Sequence, residues 1–317
     1  MKNKILATLV AFGLVGSASA IEINDNLSIN GFIDGSISKT DVGSGTATGD
    51  LGHWGADEIE VDFLFNVGSV SGEVHLDSVD AAGNDNFDIE QAHFTYSLEN
   101  GIALTFGKYG SALGLEREDP AGLYTYSRAY QTSEFNLGNV DANAREGLTI
   151  SYSAEAWTLG VSVENESGEL RVNNTKDDLD FTVALSYTGI ENVSFNAGYR
   201  KDNQSVATDE VDYVNVNATY QAGKALIGAE YTEASTSTGD LDAMLILVDY
   251  DFSDKLGLAV RYSTEADSLT TDIKTITIAP NYAITESLGA ILEYSDISRD
   301  VANTDSDLIA LELTYTF

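Results

Sequence analysis

Apolar and polar residues alternate with a period of two along much of the chain. Between residues 179 and 188 the odd positions hold Leu, Phe, Val, Leu and Tyr, and the even positions hold Asp, Thr, Ala, Ser and Thr. Residues 309–317 repeat the pattern, with an apolar or aromatic residue at every odd position. Because successive side chains of a β-strand point to opposite faces, such runs predict strands with one apolar and one polar face. Runs of about ten residues with this pattern are typical of strands between lipid and water.

Tyrosines recur with a longer period, about the length of one hairpin. One series has spacings of 33, 30, 32 and 33 residues, and a second has spacings of 32, 31 and 32 residues. The first series comprises Tyr187, Tyr220, Tyr250, Tyr282 and Tyr315, and the second comprises Tyr199, Tyr231, Tyr262 and Tyr294. We interpret the two series as marking opposite strand ends, because aromatic residues at both ends of an apolar band form the girdles of a membrane barrel. A soluble solenoid would instead stack its repeated residues in unbroken inward rows.

Sixteen segments have the length and alternation of strands. They span residues 27–39, 57–67, 69–79, 87–98, 101–108, 145–154, 156–165, 179–188, 192–201, 210–221, 224–234, 240–252, 255–265, 272–284, 287–298 and 306–317. Short turns such as 99–101 alternate with longer polar loops such as 40–56 and 166–178. Because unpaired backbone groups cannot face hydrocarbon, the sheet has to close. The pattern therefore predicts an all-β fold, a transmembrane antiparallel β-barrel of sixteen strands, with both chain ends on the side of the short turns.

The first twenty residues have the features of a secretory signal peptide. Lys2 and Lys4 precede an apolar stretch at residues 5–15, and Ala-Ser-Ala at 18–20 provides a cleavage site. The apolar stretch is too short to cross a bilayer as a helix. We therefore expect residues 1–20 to be removed, and residues 21–317 to form the barrel of an exported protein.

Composition and charge narrow the choice of function. The chain has no cysteine, 2 prolines and 28 glycines, and its formal net charge is −35, which becomes −37 without Lys2 and Lys4. Stability without disulfides requires an extensive core or a closed hydrogen-bond network. So large a negative charge excludes nonspecific nucleic-acid binding and favours the attraction of cations.

Several short motifs resemble those of Gram-negative outer-membrane porins. The start and end of the barrel, Leu27–Phe32 and Tyr315–Phe317, look like those of the general, trimeric, sixteen-stranded porins. Four further motifs are similar to the OmpL-like β-barrel porins, namely Gly107-Lys108-Tyr109, Gly114-Leu115-Glu116, Asp119-Pro120 and Tyr126-Ser127-Arg128. The resemblance extends as a pattern over the chain after residue 20, and its motifs are loose.

The resemblance implies a function, a location and partners. It implies a diffusion pore for small hydrophilic solutes and ions in the outer membrane of a Gram-negative bacterium. The expected partners are outer-membrane lipid, lipopolysaccharide, two further copies of the chain in a homotrimer, and the barrel-assembly machinery. By the same resemblance, Tyr315 and Phe317 would form the assembly signal, whereas a plain girdle role is the alternative reading. No cofactor is expected.

The connection at residues 109–144 is much longer than the others and is the third long loop. Loops of this length in a compact fold are usually functional or disordered. The general porins fold their third long loop into the lumen, so the resemblance implies a constriction here. The charged residues that such a constriction would present are Glu116, Arg117, Glu118, Asp119 and Arg128. The alternative is an outer loop that packs on a neighbouring subunit.

Strand parity assigns the residues of the lumen wall. In the segment 192–201, Phe195 and Tyr199 belong to the lipid face, so Arg200 faces inward, and the same reasoning turns Arg145 and Arg261 inward. The predicted inward acids are Asp34, Glu60, Asp62, Glu73, Asp77, Glu164, Glu230, Asp249, Glu293 and Glu312. Loop acids opposite wall arginines would create a transverse field, and the excess of inward acids predicts a preference for cations.

Other functions fit the sequence less well. The three histidines are His53, His75 and His93, and a catalytic triad built from them is a weak hypothesis. His75 and His93 with Glu73 could bind a metal, but their spacing is not diagnostic, so neither catalysis nor a metal site is predicted. The remaining rival is a structural or adhesive barrel whose loop acids bind divalent cations or lipopolysaccharide. The acids concerned are Asp41, Asp50, Asp57, Asp80 and Asp85.

Overall fold

The computed structural model describes residues 20–42, 51–79, 87–117, 119–132, 135–138, 144–165, 179–203, 210–268, 271–300 and 304–317. Its strands are β1 (Ile21–Asn24), β2 (Leu27–Val42), β3 (Leu51–Val67), β4 (Val70–Val79), β5 (Asp88–Ser97), β6 (Ile102–Tyr109), β7 (Arg145–Ser153), β8 (Trp157–Asn165), β9 (Asp180–Ile190), β10 (Val193–Asn203), β11 (Glu210–Ala222), β12 (Ala225–Thr236), β13 (Gly239–Asp251), β14 (Leu256–Ser268), β15 (Thr271–Ala283), β16 (Leu288–Arg299) and β17 (Ser306–Thr316). Within the described ranges, the helical structure consists of one 3-10 turn, Pro120–Gly122. No helix in the described ranges is long and apolar enough to cross a bilayer.

Strands β2 to β17 form one closed antiparallel barrel. Each strand pairs with its neighbours in sequence, and β17 pairs with β2 over eleven positions, from Ser306 opposite Val42 to Thr316 opposite Phe32. This last pairing removes the two sheet edges that an open sheet would expose to lipid. The predicted sixteen-stranded transmembrane barrel is therefore confirmed.

The pairing differs from the prediction at the start of the chain. An additional short strand, β1, pairs with residues 27–29 of β2. The same edge of β2 pairs with β17 from Phe32 onward, so β1 occupies the part of this edge that β17 does not reach. The expected loop 40–56 is shorter, because β2 runs to Val42 and β3 begins at Leu51. The outer end of the β2–β3 hairpin extends past the apolar band. Its residues therefore lack the lipid-facing alternation from which strands were predicted. Residues 1–19 and the loop 166–178 lie outside the described residues.

The two tyrosine series face outward, but they do not mark opposite strand ends. The first series lies beside the short turns, as at Tyr250 in the next-to-last position of β13. The second lies inside the strands, with Tyr262 six residues before the end of β14 and Tyr199 four residues before the end of β10. The strands continue beyond the tyrosines of the second series. The predicted strands therefore stopped several residues short on that side of the barrel.

The carboxyl terminus closes the barrel. The Phe317 N–H donates to the carbonyl of Gly31 at 3.0 Å, and the Gly31 N–H donates to the carbonyl of Phe317 at 3.2 Å. The Phe317 ring lies 6.2 Å from the Tyr315 ring. Thr316, by contrast, faces inward and is 8% exposed.

Phe317 is therefore expected to matter more for assembly than its neighbour. We expect Phe317→Asp, or deletion of Phe317, to reduce the yield of heat-modifiable barrel in outer membranes more than Thr316→Asp does. The physical reason is that the change at 317 places a charge at the apolar girdle, whereas the change at 316 points to the polar inner side of the barrel. Equal yields for the two variants would argue against a specific role of Phe317.

Candidate functional site

The connection between β6 and β7 folds into the barrel and lies against its inner wall. We call residues 110–144 the inner loop. The Gly114 N–H donates to Asn215 Oδ1 on β11 at 3.2 Å, and the Tyr130 hydroxyl donates to Glu230 on β12 at 3.1 Å. Leu113 packs against Gly198 on β10, where a larger residue would collide with it. The described part of the loop thus contacts side chains that face the lumen.

An apolar core joins the inner loop to the wall. The loop contributes Leu113, Ala129, Tyr130, Phe135 and Leu137. The wall contributes inward side chains of β11 to β16, namely Val211, Tyr213, Ala234, Ala243, Leu245, Leu247, Ala259, Ala279 and Ile291. The sequence analysis missed this core. The sequence of β13 contained the signal for this core. Leu245 and Leu247 face inward while Ile246 and Val248 face lipid, so the strand is apolar on both faces. A strand of that kind requires protein, and not water, on its inner side.

Arg261 on β14 fastens the inner loop to the wall. Its Nη1 donates to Glu116 Oε1 at 2.6 Å, to Thr125 Oγ1 at 2.7 Å and to the Ser127 carbonyl at 2.7 Å. Its Nη2 donates to Ser127 Oγ and to the Arg128 carbonyl, each at 3.0 Å. The side chain is 0% exposed. Arg261 faces inward as parity predicts, but the loop covers it. The expected field between loop acids and this arginine is replaced by a direct ion pair.

Wall carboxylates hold the rest of the loop. Glu265 accepts hydrogen bonds from the N–H groups of Gln131 at 2.5 Å and Thr132 at 2.7 Å. Glu293 accepts from the Ser127 N–H at 3.1 Å and from the Ser127 hydroxyl at 2.5 Å. Glu293, like Glu230, was expected to attract cations, but each of the two carboxylates accepts hydrogen bonds from the loop. Glu265 was not among the predicted inward acids.

Tyr130 is the most deeply embedded donor of the loop. Its side chain is 4% exposed and packs edge-on against Phe135, with ring centroids 6.0 Å apart. Burial, with the carboxylate of Glu230 as the next cause, raises the pKa of the Tyr130 hydroxyl. The hydroxyl therefore keeps its proton, and remains a donor to Glu230, throughout the pH range in which the barrel is used.

The two other predicted wall arginines form a second cluster on the part of the wall between β7 and β10. Arg145 binds Asp180 at 3.3 Å and Asp202 at 2.8 Å through its two terminal nitrogens. Arg200 Nε lies 3.0 Å from Asp202, and its guanidinium lies over the ring of Tyr213 at 4.6 Å. Both arginines face inward and are buried. Their positive charges are largely compensated by these carboxylates.

A belt of carboxylates lines the opposite part of the wall. Its members lie on β2 to β5 and on β17, and each is less than one tenth exposed, namely Asp34, Glu58, Glu60, Asp62, Asp77, Glu90 and Glu312. His75 lies among them, 2.9 Å from Glu60. Glu73, on the same strand as His75, keeps 43% of its side chain exposed to the lumen. This part of the lumen therefore has a strong excess of negative charge.

The five charged loop residues of the sequence analysis have different positions. Glu116 accepts from Arg261 and from the Ala129 N–H at 2.7 Å, and Arg128 donates to the Glu116 carbonyl at 3.0 Å. Arg117 donates to the Ala112 carbonyl at 3.2 Å and is half-buried. Asp119 reaches the carboxylate belt, where its oxygen lies within 4.8 Å of those of Glu58 and Glu60. Glu118 lies outside the described residues.

Comparisons with known proteins agree with this architecture. Residues 51–317 match the family described as "Putative beta-barrel porin-2, OmpL-like". A comparison with curated protein sequences finds no significant match. Among solved structures, the chain is similar to the outer membrane channel DcaP of Acinetobacter baumannii, with a TM-score of 0.71 and 14% identity, covering 95% of this chain and 100% of that one.

Two further structures show the same fold at low identity. Salmonella typhi OmpF, in complex with daunomycin, has a TM-score of 0.73 and 14% identity, covering 94% of this chain and 100% of that one. The anion-selective porin from Comamonas acidovorans has a TM-score of 0.65 and 11% identity, covering 92% and 99%. Identities this low establish the shared fold, whereas selectivity depends on the residues of each lumen.

Proposed function

Because the chain belongs to the OmpL-like family of β-barrel porins, we propose that it forms a water-filled channel for the passive diffusion of small hydrophilic solutes and ions across the outer membrane. The observation that carries the proposal is a closed barrel whose inner loop packs mainly on β10–β16. We place the path for water and solutes beside β3 to β9, where Glu73 keeps 43% of its side chain exposed. Such a channel performs no chemistry and requires no catalytic residue.

Single-channel recording tests the proposal. The refolded or purified full chain in a planar lipid bilayer is expected to give discrete ohmic conductance steps in potassium chloride. A structural or adhesive barrel would insert without such steps, and this result would overturn the proposal. The rival reading also loses part of its motivation, because Asp41 lies 2.7 Å from Lys39 and Asp57 lies 2.6 Å from His53. The other loop acids assigned to it, Asp50, Asp80 and Asp85, lie outside the described residues.

We expect the channel to prefer cations, because the carboxylate belt exceeds the basic groups of the lumen and Arg145 and Arg200 are paired with acids. Fixed charge in a narrow section acts on every ion that passes. Under a potassium chloride gradient, the reversal potential of the wild type should have the cation-preferring sign. The double variant Asp62→Asn/Glu73→Gln should weaken this preference, since both side chains face the lumen away from the loop anchors.

A matched control keeps this test specific. Glu191→Gln removes one charge in the exposed turn between β9 and β10, where salt screens it from the pore within roughly 8 Å. It should leave the reversal potential almost unchanged. An anion-preferring wild type would refute the role assigned to the carboxylates and would credit Arg145 and Arg200 with control of the lumen.

The assembly and the partners follow from the family resemblance. We propose that three chains associate into a homotrimer in contact with outer-membrane lipid and lipopolysaccharide, after export and delivery by the barrel-assembly machinery. Chemical cross-linking of intact outer membranes tests the oligomeric state. Cross-linking that yields the monomer alone would contradict the homotrimer.

A further inference from the structure

A histidine and carboxylates from three neighbouring strands converge on one point of the lumen wall. His75 on β4 lies opposite Asp62 of β3 in the register, and Glu60 is two residues away on the same face of β3. On the other side, β5 contributes Glu90. These acids belong to the carboxylate belt, and Glu60 lies near Asp119 of the inner loop, but fixed negative charge alone does not account for a histidine placed among them.

A β-bulge brings Glu90 into this group. His75 pairs with Gln91, but the next pair is Leu76 with Ile89, so Glu90 is an extra residue in β5. Regular alternation from Gln91 would turn Glu90 toward lipid. The bulge instead allows Glu90 and Gln91 to face inward together, with Glu90 5% exposed and Ile89 outward at 38% exposed. Bulges are frequent beside functional sites because they redirect a side chain in this way.

The donor atoms have the spacing of a single coordination sphere. His75 Nδ1 lies 2.9 Å from Glu60 Oε1, 3.2 Å from Asp62 Oδ1 and 3.8 Å from Glu90 Oε2. Two ligands that each lie about 2.1 Å from one ion are separated by about 3.0 Å at a right angle and about 3.4 Å at the tetrahedral angle. The oxygen of Glu60 already matches these separations from the imidazole nitrogen, and Glu90 requires a shift of a few tenths of an ångström.

One proton cannot satisfy these acceptors. In the tautomer that carries its proton on Nδ1, His75 donates to Glu60 at 2.9 Å, and in the other tautomer the same nitrogen accepts from Gln91 Nε2 at 3.2 Å. Asp62, which is 7% exposed, then has its Oδ1 buried beside the same nitrogen without a hydrogen bond, although the two atoms are 3.2 Å apart. Buried carboxylate oxygens that share one donor repel one another unless one of them binds a proton or a cation lies between them.

The other imidazole nitrogen has the partner expected of a metal-binding histidine. Glu73 Oε2 lies 3.4 Å from His75 Nε2. In metal sites a carboxylate commonly accepts the second ring N–H, which fixes the tautomer and leaves the opposite nitrogen free to coordinate. Glu73 is positioned for this role, and the coordinating nitrogen would then be Nδ1.

We propose that Glu60, His75 and Glu90 bind one divalent transition-metal ion in the lumen wall, with Glu73 as the orienting partner of His75. One imidazole nitrogen with carboxylate oxygens suits first-row ions such as Zn²⁺, whereas Ca²⁺ prefers an all-oxygen shell of six to eight ligands. His93 does not belong to the group of donor atoms, so the site differs from the pair of histidines considered from the sequence.

Binding measurements on the full-length mature barrel in detergent test the site. After removal of metal with a chelator, isothermal titration with Zn²⁺ is expected to show one ion bound per chain. His75→Ala and Glu90→Gln should each weaken binding by about tenfold or more, as expected when a metal site loses a ligand. His93→Ala is the matched control, because it removes the neighbouring lumen histidine and should leave the affinity unchanged. Heat-modifiable mobility in gels verifies that each variant is folded.

Several outcomes would overturn the proposal. These are the absence of Zn²⁺ binding to the wild type, binding that His75→Ala leaves intact, and binding that Ca²⁺ matches in affinity. Glu90→Gln preserves shape at the bulge, so it decides the matter if His75→Ala fails to fold. Because the measurement is of binding and not of conductance, it is independent of whether the barrel conducts ions.

Discussion

Replacing Arg261 by methionine is expected to release the inner loop from the wall and to increase the single-channel conductance. Arg261 makes five hydrogen bonds of 3.0 Å or less to the loop, and its side chain is 0% exposed. Its removal leaves the Glu116 carboxylate without its counter-ion. Breaking a buried ion pair by removing one partner costs about 3–5 kcal/mol. Moving the loop into open water is the least costly way to hydrate Glu116, and this widens the lumen.

A double-mutant cycle distinguishes the ion pair from simple loss of packing. Glu116→Gln alone leaves the arginine buried without its carboxylate, whereas Arg261→Met/Glu116→Gln removes both charges. We expect the double variant to have a conductance closer to that of the wild type than Arg261→Met has. If Arg261→Met conducts like the wild type, the apolar core and the wall carboxylates alone hold the loop, and Arg261 is dispensable as an anchor.

Asparagine at two adjacent positions of β13 is expected to produce opposite defects. Leu245 is 1% exposed in the apolar core under the loop, and Ile246 is 46% exposed on the outer face. Transfer of an amide to an apolar medium without a partner costs roughly 2–7 kcal/mol. At 245 the loop can move away and admit water, so Leu245→Asn should yield an assembled barrel with higher or noisier conductance. At 246 the side chain faces lipid, where no water can hydrate the amide, so Ile246→Asn should lower the yield of assembled barrel.

This pair of variants is its own control, because the two positions share a strand, a depth and a substitution. Heat-modifiable mobility reports assembly, and bilayer recording reports the lumen. If Leu245→Asn conducts like the wild type, the core under the loop does not depend on this side chain. Should it instead lower assembly as much as Ile246→Asn does, the interior core would be required for the barrel itself and not only for the position of the loop.

The barrel could be predicted from the sequence because membrane strands obey one strict local rule. Lipid excludes polar side chains from every second position, so Phe195 and Tyr199 fix the direction of Arg200 without any knowledge of its neighbours. Because the number of strands is even, the first and last strands of the barrel run antiparallel and can pair to close it. The strand β1 was not predicted, since four residues that pair beyond the end of β17 are not constrained by lipid.

The interior of the barrel could be predicted only in part. Strand parity predicted that Glu230, Glu293 and Arg261 lie on the inner face, but it does not predict which groups each side chain contacts there. Acids that looked available to passing cations bind loop N–H groups, because a loop folded into a barrel must find partners for its own backbone. The bulge at Glu90 also shifts the alternation of β5, so that Glu90 faces inward and Ile89 outward, and no local pattern predicts such an insertion.

The apolar inner face of β13 has a consequence for the chain before it folds. Residues 243–248 read Ala-Met-Leu-Ile-Leu-Val, six residues without charge, proline or glycine. Segments of this composition form the tightly interdigitated contacts of amyloid when two exposed copies meet. In the barrel, β12, β14, lipid and the inner loop cover this stretch from every side, but in transit to the membrane none of them does. Asp242 and Asp249 flank the stretch and act as charged gatekeepers against self-association. The same leucines that fasten the loop therefore give the unfolded chain a segment that favours self-association until the barrel has formed.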